Sequence, residues 1–397
     1  MEPTERARFN ANFTEEKYAA LLRAVNETEF WPADFRISET PIFFTPEFTA
    51  EITGAARELI ARVQTPAFEK HARDAIPAAL VVPNENPHPL FVSVDFAICA
   101  GEEGTLTPRL IELQGFPTLY SYQLFFWRCL RDAFPDLPKG WQPFFSGYDE
   151  HSYLELLRKV IVGEADPENV ILLEIEPEKQ KTRIDFAYSK SGLGVHPVCL
   201  TQIRKRGRQL SYERDGREIR IERIYNRVIF DELLRHPELR PGFDFREELD
   251  VHWVGHPNWY FRISKHSLPF LQTGHTSAAF FADEFPPDES LENYVLKPLY
   301  SFAGLGVEME PTRAKLAALD DAHAYILQEK VTYAEFVPTV DGHRSKAEVR
   351  MMFLWPEEGD PILVNNLVRM SQGKMMGVDF NKDKTWVGSS IALHEGA

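Results

Sequence analysis

The hydrophobic period changes along the chain, and those changes limit the architectures open to it. Residues 1–78 carry helical spacing, clearest in Glu15 to Val25 and Ala50 to Val63, with an aromatic and proline-rich interruption from Trp31 to Pro46. From residue 79 the runs shorten to those of strands: Ala79-Leu80-Val81-Val82, Leu90 to Phe96 and Arg109 to Gln114, the last two joined across Gly101-Glu102-Glu103-Gly104. Residues 149–260 then alternate. A buried strand over Val170 to Ile175, helical character from Lys179 to Ser189 and a new strand at Val198 predict a βαβ unit. Asp215-Gly216 predicts a tight hairpin within Gln209 to Ile219, because that pair supplies the positive φ of a two-residue turn. Pro257-Asn258 breaks the pattern before a last region, 261–397. The expectation is a mixed α+β and α/β chain with a helical flank at 1–78 and further segments at 79–148, 149–260 and 261–397.

Composition narrows the function classes. With 397 residues, 44% hydrophobic and 26% charged, the chain is long enough for several cooperating domains. A net charge of -16 opposes binding to a phosphate backbone, and the basic run Arg204-Lys205-Arg206-Gly207-Arg208 reads as a solvated hairpin end, so no nucleic-acid partner is expected. No apolar run reaches the ~18 residues of a membrane span, and the charged N-terminus carries no secretory signal. Cys99, Cys129 and Cys199 suit neither a disulfide framework nor a zinc site and read as reduced thiols, which places the chain in the cytoplasm.

The stretch Tyr294-Val295-Leu296-Lys297-Pro298-Leu299-Tyr300-Ser301-Phe302-Ala303-Gly304-Leu305-Gly306-Val307 reads as a strand delivering Lys297, a loop with Ser301, Gly304 and Gly306, and a strand resuming at Val307. Glycine lets backbone amides approach phosphate oxygens, and lysine adds a point charge. A plain glycine hairpin with a surface lysine is the alternative. Downstream, Ala324 to Val331 is an apolar strand ending in Gln328 and Glu329, an edge able to bond an adenine through its backbone and a ribose through Glu329, or an ordinary strand with a charged end. Upstream, Asp95 ends a strand, while Glu112 and Gln114, two apart, share one face of the next. Two carboxylates and an amide oxygen there would suit Mg²⁺; alternation in a half-exposed strand would place polar groups there too.

These pieces occur in the order found in circularly permuted ATP-grasp ligases, and they most resemble the synthetase domain of glutathionylspermidine synthase. The matching residues are Asp95-Phe96, Leu110-Ile111-Glu112-Leu113-Gln114 with Phe116-Pro117-Thr118, Tyr225-Asn226-Arg227, Ser264-Lys265-His266-Ser267-Leu268-Pro269, the Lys297 to Val307 loop and Gln328-Glu329. The resemblance covers roughly 80 to 397. It implies a circularly permuted ATP-grasp fold: metal-binding core strands at 79–148, a pre-ATP-grasp-like α/β domain at 149–260, and the lid and core with the nucleotide site at 261–397. It also implies that Asp95, Glu112 and Gln114 hold magnesium, that Lys265 and Lys297 bind ATP, and that Gln328-Glu329 form the adenine hinge. Gln114 replaces the family's Asn, and Ser93 stands where the family places a glutathione-contacting Arg.

The implied reaction moves the γ-phosphoryl group of ATP to a small-molecule carboxylate, giving an acyl phosphate that an amine attacks. Arg350 and Arg369, on predicted strands, are candidate phosphate or acyl-phosphate contacts, or else salt-bridged arginines at sheet edges. Glu348 is a further metal candidate, Asp379-Phe380-Asn381 a second-ranked metal pair, and His256 and His266 read as structural. The alternative function is a nucleotide-binding regulatory or scaffold protein that makes no amide.

Overall fold

The computed structural model describes all residues except 28–30, 302, 303, 374, 375, 377–380, 382 and 397. Strands Phe91–Ala100 and Leu106–Gln114 pair antiparallel and become two members of a 6-stranded sheet, in the order Gly388–Ser390, Ile362–Ser371, Arg344–Leu354, Phe91–Ala100, Leu106–Gln114, with Val337–Pro338 added along Arg344–Leu354. Every pairing in this sheet is antiparallel. Period-2 alternation sends Val92, Val94, Phe96, Val349, Met351, Phe353 and Val368 to one face, where they share an apolar core with Ile52, Ala56 and Leu59 of helix Pro46–Val63. That helix starts where the sequence permits it to. Thr45 accepts the Phe48 amide and Pro46 occupies the first turn. The opposite face keeps the polar residues Ser93, Asp95, Glu112, Gln114, Glu348 and Arg350.

A 4-stranded, all-parallel sheet follows the order His252–Val254, Arg223–Asn226, Val170–Glu174, His196–Cys199. The predicted βαβ unit is present, with its helix at Arg183–Leu193, several residues later than the spacing predicts. Glu176 in a left-handed conformation and Pro177 turn the chain into a short 3-10 segment first, and Gly194 at φ 77° ends the helix. The hairpin Gln209–Arg214 to Arg217–Ile221 turns on Asp215 (φ 52°) and Gly216 (φ 74°), as its sequence predicts.

The smaller antiparallel sheet Ala279–Phe281, Tyr325–Glu329, Tyr294–Pro298 has its own core of Phe285, Leu291, Tyr294, Leu296 and Leu327. No strand resumes at Val307; a single bridge from Glu308 to Leu296 stands there. Ala79 to Val82 is likewise not a strand. A 3-10 turn occupies Ala78–Leu80, and the Asn258 side chain satisfies both backbone groups of Val82 at 3.0 Å, taking the place of a neighbouring strand. The interruption Trp31 to Pro46 contains strand Ile42–Phe43, parallel to Ala392–Glu395, so the N-terminal flank is stitched to the last strand of the chain. Among the described residues no helix is long and apolar enough to cross a membrane. Cys99, Cys129 and Cys199 are free thiols, the first two buried.

Candidate functional site

On the polar face of the large sheet, register places Arg350, Asp95 and Glu112 side by side on three neighbouring strands. Arg350 grips Asp95 with two hydrogen bonds, Nε to Oδ1 and Nη2 to Oδ2, both 2.7 Å. Arg369 adds a third, Nη2 to Oδ2 at 3.0 Å, and bridges to Glu348 at 2.8 Å. Glu348 also accepts the Tyr333 hydroxyl. Asp95 is 1% exposed, so this planar, bidentate pair is desolvated as well as hydrogen-bonded. Burial works against both guanidinium charges, but Asp95 for Arg350, and Glu348 with Asp95 for Arg369, more than offset it and raise both pKa values.

Glu112 faces different partners. The segment after helix Pro257–Arg262 is tied to the end of strand Leu106–Gln114 by the Gly115 amide donating to Ile263 at 2.9 Å. There a 3-10 helix, Lys265–Phe270, begins under a Ser264 cap and delivers Lys265. Lys265 Nζ lies 3.0 Å from Glu112 Oε1 and donates to the Ser301 carbonyl at 2.8 Å. Burial favours a neutral Glu112, yet Lys265, backed by Lys297 and Arg350, outweighs it and holds the carboxyl at about 2. Lys297, from strand Tyr294–Pro298, donates to Gln328 Oε1 at 2.6 Å, and Gln328 Nε2 reaches the Leu110 carbonyl at 3.2 Å, joining the small sheet to the large one. Burial pulls Lys297 down to about 8 despite Glu112, with Lys265 adding to the fall.

Glu112, Gln114, Tyr260, Ser264, Lys265 and Ser301 line a cavity of about 20 Å³, room for about one water. The buried Gln114 Oε1 has no hydrogen-bond partner. The structure therefore gathers Asp95, Glu112, Gln114, Lys265, Lys297, Gln328, Arg350 and Arg369, with Ser301 contributing its carbonyl. Glu329 is not gathered: it is exposed, and its carboxylate accepts the Ala278 amide at 3.3 Å. Gly304 and Gly306 take left-handed φ values of 76° and 74°, and a Cβ on Gly306 would sit 2.8 Å from Pro298 Cγ, so these glycines serve the turn. Phe302 and Ala303 of that loop, and Asp379 and Phe380 of the second-ranked metal pair, lie outside the described residues. Asn381 Oδ1 accepts from Ser371 Oγ and from the Gln372 and Gly373 amides, which pins a turn. Burial drives His256 and His266 to about 4, in keeping with structural roles.

Tyr333 has no signal in the sequence; only the fold brings it to Glu348. Arg227 is marked there only within Tyr225-Asn226-Arg227, by the resemblance and without a role. The order of the parallel sheet reverses between Val170–Glu174 and Arg223–Asn226, the position at which open parallel sheets take ligands, and Arg227 follows directly. It is 3% exposed, stacks 4.8 Å above Phe116, which also lines the cavity, and donates to the Thr118 and Thr182 hydroxyls, each at 3.2 Å. Its Nε is unpaired, and among the described residues it forms no salt bridge. Burial pushes the neighbouring Glu174 up to about 8, against the pull of Arg227, which favours a neutral acid there near pH 7.

No protein-family model and no curated protein matches this sequence. Among solved structures, the chain is similar along its whole length to a glutathione synthetase-like effector, GSS30 from Globodera pallida, in apo form. The TM-score is 0.59 over 100% of this chain and 99% of that one, at 10% identity. The chain has a glutathione synthetase-like fold. At that identity the likeness concerns the fold alone, and the chemistry has to come from the side chains described above.

Proposed function

We propose that this chain is a Mg²⁺- and ATP-dependent carboxylate–amine ligase with a circularly permuted ATP-grasp architecture, its nucleotide cleft between the small sheet and the polar face of the large one. The observation that carries the reading is charge. Lys265, Lys297, Arg350 and Arg369 outnumber Asp95, Glu112 and Glu348, so a polyanion entering this partly buried site meets an excess of fixed cations. Lys297 and Lys265 would take phosphate oxygens, and Arg369, 44% exposed, a transferring phosphoryl group. Arg227, held by neutral hydroxyls with its Nε unpaired, suits a substrate carboxylate.

The donor set fits a magnesium ion in part. Glu112 is ionised and Gln114 offers an unpartnered oxygen, while both oxygens of Asp95 are committed to arginines. One carboxylate and one amide oxygen are enough where substrate phosphates and waters complete the octahedron, so Glu112 and Gln114 are the residues that would hold it. When bound, the ion neutralises phosphate charge. The chain's own residues would hold the phosphates and the attacking carboxylate in line. A carboxylate oxygen takes the γ-phosphoryl group and releases ADP; the amine then forms the amide bond and releases phosphate.

Purified protein with Mg²⁺-ATP, pooled amino acids and polyamines tests this: ADP and phosphate release that depends on the amine is expected, whereas AMP release would replace the acyl phosphate by adenylation. The committed state of Asp95 favours a second reading, an ATP-binding regulatory protein without turnover. Saturable ATP binding with no amine-dependent hydrolysis would select it.

A further inference from the structure

Segment 330–336 carries the chain from the end of small-sheet strand Tyr325–Glu329 to Val337–Pro338, which pairs with Arg344–Leu354 of the large sheet. It lies against strand Phe91–Ala100: Tyr333 forms a single antiparallel bridge with Cys99, and the Ala334 amide donates to the Ile98 carbonyl at 2.9 Å. Anchored there, the Tyr333 hydroxyl donates to Glu348 Oε1. The other oxygen, Oε2, bridges to Arg369 at 2.8 Å. Register explains the second contact, because Glu348 and Arg369 are direct partners on neighbouring strands. Glu348 is buried, and each of its oxygens has a different partner, so the carboxylate cannot turn without giving one up. Burial, with Glu348 adding to it, raises the Tyr333 hydroxyl well above its ordinary value, which keeps it a proton donor. Arg369 meets both Glu348 and Asp95 through Nη2. Among the described residues no hydrogen bond engages its Nε or Nη1, and the side chain is 44% exposed.

We propose that Tyr333 is a positioning residue for Arg369: by holding Glu348 Oε1 it keeps Arg369 on Oε2 alone, so that Nε and Nη1 stay presented to the third phosphate of a bound nucleotide. Without the hydroxyl, Glu348 is free to take Arg369 with both oxygens, the bidentate geometry that carboxylate and guanidinium favour, and that draws the fork away from the cleft. The consequence is specificity, a triphosphate being preferred to a diphosphate. It rests on the ATP-binding reading above, in which Arg369 meets the transferring phosphoryl group.

Calorimetric titration of the full chain, in Mg²⁺, with ADP and with AMP-PNP, an ATP analogue that resists hydrolysis, tests the link. Wild-type protein is expected to bind AMP-PNP more tightly than ADP. Tyr333→Phe, which removes the hydroxyl and keeps the ring, weakens AMP-PNP about tenfold and leaves ADP unchanged. Arg369→Gln shows the same selective loss, and adding Tyr333→Phe to it brings no further loss, as for two residues acting through one contact. An equal loss for both nucleotides in Tyr333→Phe would make the residue structural and overturn the proposal, as would unchanged AMP-PNP affinity; either result leaves nucleotide binding itself standing. Binding of neither nucleotide to the wild type would overturn the ATP-binding reading, and the proposal with it. If circular dichroism shows Tyr333→Phe to be misfolded, Glu348→Gln decides: it keeps an acceptor for the hydroxyl, drops the charge beside Arg369, and must show the same selective loss.

Discussion

Asp95 and Glu112 stand opposite each other on neighbouring strands of one sheet, yet their surroundings differ. Asp95 is enclosed by guanidinium groups whose geometry uses both its oxygens. Glu112 meets an ammonium group at the start of a 3-10 helix, beside a small cavity and an unpartnered amide oxygen. A rigid, planar donor saturates a carboxylate; a flexible point charge leaves it open to exchange. The Asp95 end of the site is therefore organised as framework, and the Glu112 end is the part that can trade its partner for a ligand.

The largest effect that separates the two ends is on stability. Asp95→Ala leaves two guanidinium groups without their shared carboxylate, and loss of about 3–5 kcal/mol is expected in urea unfolding, as for a broken buried pair. A loss below about 1 kcal/mol, the size expected of an exposed pair, would remove the distinction. Lys297→Met is expected to do the reverse: ATP affinity falls at least about tenfold, with no loss of fold stability. Because the folded-state pKa of Lys297 lies near 8, below the 10.5 of the free side chain, the unfolded chain binds the extra proton between those values and wild-type stability rises with pH across that window. The methionine variant lacks that rise, and wild-type ATP binding weakens as pH passes about 8. Identical pH profiles for the two proteins would show that Lys297 is not the titrating group.

Glu112→Gln sharpens the comparison from the other side. With a folded-state value of about 2 against 4.5 unperturbed, the carboxylate contributes stability above 4.5 that is lost as pH falls towards 2. The variant should be less stable near neutral pH, lose less on acidification, and need about tenfold more Mg²⁺ for ATP-dependent turnover. An unchanged Mg²⁺ requirement would transfer the metal role away from this strand. The smallest effect is expected in the loop: Gly306→Ala combines a left-handed φ with a close approach to Pro298, for about 1 kcal/mol of destabilisation, with ATP affinity nearly preserved.

Much of this site was legible before the fold. Alternation put Glu112 and Gln114 on one face and strand patterning marked Arg350 and Arg369 as arginines among apolar neighbours, while Lys297 and Gln328 were read on separate strands that only the resemblance joined in one site. Glu329 lies apart from the cluster for the same reason that Gln328 joins it. Side chains alternate, so two adjacent residues cannot both face the cleft.

The chain's own pattern determined what is local: strands of period 2, the Asp215-Gly216 turn, the capped helix Pro46–Val63 and the loop glycines, all governed by backbone conformations within a few residues. Tertiary structure decided what depends on distant pairing. It set Arg350 against Asp95 across 255 positions, brought Tyr333 to Glu348, joined Ile42–Phe43 to the final strand and denied Ala79 to Val82 a strand by giving Val82 to Asn258. A strand's sequence states which face is apolar, but not which strand will lie beside it; that partner is chosen when the apolar faces close on helix Pro46–Val63 and fix the register of everything on the polar side.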